Sequence, residues 1–64
     1  MVKINGKPVD AAGMTLAEYL ETTTYNLKAI VVEHNEAIVP KTQYDSTVLQ
    51  DEDVVEVVCF VGGG

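Results

Sequence analysis

Apolar and polar positions alternate over the opening stretch MVKINGKPV, where Val2 and Ile4 are separated by Lys3. A period of two is the mark of a strand with one buried face. Asn5-Gly6 interrupts it with a dipeptide that accepts the positive φ values of a tight hairpin turn, so two short strands are predicted around it. The period then changes. In AAGMTLAEYL, Thr15 followed three residues later by Glu18 fits a capping box at a helix start. Leu16, Tyr19, Leu20 and Thr23 fall on one helical face, leaving Ala17, Glu18 and Glu21 outward. The threonines at 22–24 end the helix, because β-branched residues are poor helix formers.

Strand character returns in KAIVVEHNEAIVP. Ile30, Val31 and Val32 are β-branched, Asn35-Glu36 turns the chain, and Ile38-Val39 begin a partner strand that Pro40 closes. KTQYDSTVLQDED reads as a polar connection with room for one helical turn, ending in an acidic turn at Asp51-Glu52-Asp53. VVEVVCFV is the last and strongest strand. The predicted fold is α+β, a mixed sheet of four to five strands packed on one helix. The first and last strands are expected side by side near the sheet centre.

Glu56 orients the final strand. Alternation puts Val55, Val57, Cys59 and Val61 on one side and Val54, Glu56, Val58 and Phe60 on the other. A carboxylate does not face a dry core unpaired, so the odd-numbered set is predicted to lie under the helix. Val58 and Phe60 then face solvent, either as a docking patch or as a plain surface cluster. Cys59, on the inward side, reads as a small core residue, with no basic neighbour in sequence to activate it.

Composition narrows the function. The 64 residues form one domain, and ten acidic residues against four lysines give a formal charge of −6. That sign repels nucleic-acid phosphates and favours encounter with a basic partner surface. A single cysteine excludes an internal disulfide. No signal sequence or membrane-spanning run is read, so the cytoplasm is the expected compartment. His34 is the only histidine and reads as a surface residue at a strand end. The acids at 51–53 read as a solvated cluster lacking the ligand spread of a calcium loop. No HExxH, CxxC or Walker sequence is found, and the chain is not expected to be an enzyme or to bind a cofactor.

The C-terminal VGGG remains to be explained. Glycine brings no side chain to bury, so residues 62–64 are expected to be a flexible tail on a domain spanning 1–61. Extended at ~3.3–3.6 Å per residue, Val61 to Gly64 would reach about 12–14 Å and thread a channel too narrow for other residues. A carboxylate becomes an acyl donor once AMP is placed on it. A sulfur nucleophile then leaves a thiocarboxylate, and an amine leaves an amide. A frayed end is the alternative.

The run AIVVEHNEAIVPKTQYDSTVLQDEDVVEVVCFVGGG, with VKINGKPV and TLAEYL, resembles the ThiS family of thiamin-biosynthesis sulfur carriers, which are ubiquitin-like β-grasp proteins. The most specific elements are IVP at 38–40, TVLQD at 47–51 and the terminal Gly63-Gly64. The resemblance implies that Gly64 bears the sulfur after adenylation, with Gly63 and Gly62 giving access to the partner's active site. It implies three partners: a ThiF-like, ATP-using adenylyltransferase, a ThiG-like thiazole synthase, and a sulfur donor such as a cysteine desulfurase. Val58 and Phe60 would lie on the face that contacts the activating enzyme. A related carrier for another pathway (molybdopterin-type), a small protein modifier and a plain binding module are the competing readings. Family members often carry Asn-Gly and Asp-Gly-Asp where this chain has Asn35-Glu36 and Asp51-Glu52-Asp53. Positive φ at either glutamate would cost ~1–2 kcal/mol.

Overall fold

The computed structural model describes residues 1–60. Its elements are β1 (Val2–Ile4), β2 (Lys7–Val9), α1 (Leu16–Glu21), β3 (Ile30–His34), β4 (Ala37–Val39) and β5 (Val54–Cys59), with single 3-10 turns at Leu27–Ala29 and Lys41–Gln43. The strands form one sheet in the order β2-β1-β5-β3-β4. β5 is central, parallel to β1 and antiparallel to β3, and the two hairpins flank it. This is a β-grasp, with the first and last strands adjacent as the sequence suggests.

Local chemistry sets the boundaries. Thr15 and Glu18 form both halves of the capping box, at 3.1 and 2.8 Å, and Thr22 closes the helix. Asn5 and Gly6 turn the first hairpin at φ 52° and 83°. The Asn5 side chain does more than turn the chain: its Oδ1 accepts the Val57 amide at 2.8 Å, tying the hairpin to β5.

The core fills one face of the sheet. Val2, Ile4, Ile30, Val32, Val39, Val55 and Val57 point towards Leu16 and Leu20 of α1. Two buried residues come from the stretch read as a polar connection, Tyr44 and Leu49. That stretch is laced to the helix start: the Leu49 amide donates to Met14 O at 2.8 Å, and Leu49 O accepts from the Gly13 amide at 2.8 Å. Ala17, expected outward, is half-buried against the same cluster, because residues 44–47 bond to the first helical amides and cover it. Among the described residues, no helix is long and apolar enough to cross a membrane.

Both glutamates in question adopt positive φ, Glu36 at 72° and Glu52 at 73°. A Cβ in the left-handed region crowds the following carbonyl, and glycine removes that clash. Glu36→Gly is therefore expected to raise unfolding free energy by about 1 kcal/mol, the relief exceeding the extra entropy of an unfolded glycine. Urea midpoints compared at equal m-values check this.

Candidate functional site

β5 carries the chain from the acidic turn at 51–53, through the middle of the sheet, to the edge from which the tail departs. Its alternation is as predicted over 54–58: Val55 and Val57 are buried, while Val54, Glu56 and Val58 are exposed. Phe60 continues the outward series, and its amide donates to Ala29 O at 2.7 Å, holding the strand end against the turn before β3. Val58 is 50% and Phe60 58% exposed. Both of these sequence-predicted residues are therefore exposed, Val58 on the open sheet face and Phe60 two positions on, just past the end of β5. Val61, Gly62, Gly63 and Gly64 lie outside the described residues.

Cys59 departs from expectation. Alternation assigned it to the core, yet it is exposed. It pairs with Ile30, which is itself buried, at the last position of β5. There it lines a groove of about 590 Å³ with Tyr25, Lys28, Ala29, Ile30 and Phe60. The inner face of β5 is thus roofed over Val55 and Val57 and opens at Cys59.

Open-face neighbours follow from the register. Val58 lies opposite Val31 and Glu56 opposite Glu33, while on the far side Glu33 lies opposite Ile38. Lys3 lies between Pro8 and Val54. Ile38 and Val54 are both exposed. The face away from the helix is therefore a belt of aliphatic side chains with Glu33, Glu56 and Lys3 set into it.

At the opposite end of β5, His34 and Asp53 are not the separate surface groups that the sequence suggested. The His34 Nε2–H donates to Asp53 Oδ2 at 2.6 Å, the Asn35 side-chain Nδ2 donates to Oδ1 at 3.1 Å, and the Gln50 backbone N–H donates to Oδ2 at 2.9 Å. Asn35 Oδ1 in turn accepts the Val54 amide at 2.8 Å. One carboxylate thereby fastens the β3–β4 turn to the start of β5. Burial pushes the Asp53 carboxyl up, but the hydrogen bonds from His34, Asn35 and Gln50 outweigh it and hold the group below its ordinary 3.8. A lowered folded value means stability that is present above about pH 4 and lost as pH falls through the folded pKa. Asp53→Asn is thus expected to be less stable than the parent at pH 7, with the gap narrowing below about pH 4. Urea midpoints measured at both pH values check it.

The ThiS family model matches residues 2–64. The sulfur carrier protein ThiS of Bacillus subtilis is 38% identical over 68 aligned positions, with all of both chains covered. A thiazole synthase of Magnetococcus marinus is 41% identical over 98% of this chain, but the chain spans only 20% of that protein. Among solved structures, the crystal structure of a thiamine biosynthesis protein (ThiS) from Geobacter metallireducens superposes with a TM-score of 0.80 at 31% identity, covering 98% of this chain and 97% of that one.

Proposed function

The chain belongs to the ThiS family, and from that premise we propose that it is a sulfur carrier of thiamin biosynthesis whose reactive group is the Gly64 carboxylate. The observation that carries the reading is the full-length match to a protein named as a sulfur carrier, combined with a central strand that delivers the chain to a Gly-Gly end.

The chemistry belongs to the acyl end and not to the body. A free carboxylate resists attack because oxide is a poor leaving group. A ThiF-like adenylyltransferase joins the Gly64 oxygen to the α-phosphorus of ATP and releases pyrophosphate. The terminal sulfur of a persulfide on a cysteine desulfurase or a similar donor attacks the carbonyl carbon and AMP departs, leaving an acyl disulfide between donor and carrier. A second thiol then attacks the donor's sulfur of that S–S bond, forms a disulfide with it and releases the thiocarboxylate, so the two electrons come from that thiol pair. A thiazole synthase then consumes that sulfur. The match to a stretch within proteins called thiazole synthase supports such an enzyme as the partner and the thiazole as the destination. ATP is used by the activating partner, and the carrier itself is a cosubstrate and not a catalyst. Gly62 and Gly63 let the end enter a narrow active site, while Val58 and Phe60 seat the body on the partner.

Intact-mass measurement tests this after incubation with a ThiF-like adenylyltransferase, ATP and a sulfur donor. The expected result is exchange of one oxygen for sulfur, localised to Gly64 by fragmentation. Conjugation to lysine amines instead would identify a modifier. No mass change in the presence of an adenylyltransferase active on another carrier would refute carriage.

A further inference from the structure

Two features of the open sheet face conflict with the stability of the isolated domain. Glu33 of β3 and Glu56 of β5 are direct cross-strand partners. Residues in that relation have Cβ atoms about 4.5–5.5 Å apart, and like charges placed so are destabilising. Neither carboxylate forms an ion pair: those among the described residues join the Met1 amino terminus to Asp51 and His34 to Asp53, and Lys3, on the same face beside Val54, lies diagonal to Glu56 without bonding to it. The pair is also surrounded by apolar side chains, with Val58 and Val31 opposite one another on one side of it, Val54 on the other, and Ile38 across from Glu33. A position where local physics works against the fold with no ion pair formed to offset it is where a functional constraint is expected.

We propose that the sheet face receives an arginine of the adenylating partner, its guanidinium lying between the Glu33 and Glu56 carboxylates. The inference rests on the sulfur-carrier reading and on the sheet face as its docking surface. The occupant follows from charge and shape. A guanidinium is a planar fork of donors able to engage two carboxylates at once, and it is weakly hydrated enough to enter an apolar surround. A lysine ammonium is a compact, strongly hydrated point charge and suits the site less well. The carrier's net charge of −6 draws a basic partner surface towards it from a distance. The aliphatic belt then excludes water around the contact, which strengthens it. The same two glutamates would weaken docking to a partner lacking that cation, because their charges would be desolvated without compensation.

The test compares the parent, E33Q/E56Q and Phe60→Asp for affinity to a ThiF-like adenylyltransferase by calorimetry at two salt concentrations, alongside urea unfolding of each free domain. The near-isosteric glutamines are expected to leave the urea midpoint equal to or above the parent's while weakening binding about tenfold to a hundredfold. The parent's affinity should fall with salt more steeply than that of the double variant. Equal affinity of parent and E33Q/E56Q overturns the arginine. If Phe60→Asp loses binding in that case, the sheet face remains the docking surface and only its charge recognition was wrongly assigned. If Phe60→Asp also binds like the parent, the docking face itself falls.

Discussion

Removal of Gly64 is expected to lower the rate of thiocarboxylate formation by about a hundredfold or more, although the shortened chain still ends in two glycines. That coincidence makes the experiment informative. The sequence closes on three glycines, so deletion changes the reach of the acyl end without changing its chemical character. The lost reach is ~3.3–3.6 Å. A displacement of about 1 Å from the reactive geometry is already enough for a loss on the order of a hundredfold. On the proposed reading the folded body gives the enzyme a fixed reference, because the Phe60 amide is held to Ala29 O. Stability should hardly respond. Among the described residues, every buried apolar side chain lies between Val2 and Val57. A change outside such features is worth within about 0.5 kcal/mol, a shift of less than about 4 °C in a domain of this size. Mass spectrometry over time and a melting curve on the same preparation give both numbers. Sulfur loading at the parent rate would mean that the distance from the body does not select the reacting carbon.

Some of this architecture is legible without coordinates because single residues constrain it strongly. One glutamate decided which face of β5 is solvated, and Val54 through Val58 obey that choice. Thr15 and Glu18 mark the helix start at a fixed spacing, and Asn5-Gly6 names its own turn. Val58 and Phe60 follow from the same alternation, so their exposure could be read directly. The rest depends on what lies opposite. Cys59 obeys the period and still escapes burial, since periodicity gives the face of a strand but not the length of its roof. The Glu33–Glu56 contact exists only through the register of β3 on β5, which no local pattern encodes. His34 and Asp53 are 19 residues apart and meet because two turns converge. Leu49 stands in a polar stretch, and a single leucine there has no period to reveal it.

Leu49 is where the second large effect is expected. Leu49→Ala should cost about 2–5 kcal/mol, the range for truncating a buried leucine whose cavity cannot collapse. The side chain is 0% exposed, and its backbone is fixed at both polar atoms, to Met14 and Gly13. The surrounding chain therefore has little freedom to close the space. Against a total of roughly 3–10 kcal/mol for 64 residues at ordinary per-residue stability, that loss removes a large share of the folding free energy. A melting point lower by about 10 °C or more should follow. The neighbouring Val48 is 47% exposed and supplies the control: Val48→Ala should change stability by about 0.5 kcal/mol or less. Because Leu49 packs on the helix side, away from the face bearing Val58 and Phe60, sulfur loading per folded molecule should be preserved well below the melting point. A Leu49→Ala domain as stable as its Val48→Ala counterpart would show that residues 44–49 drape over the core without belonging to it, and the lacing to the helix start would then contribute little to the fold.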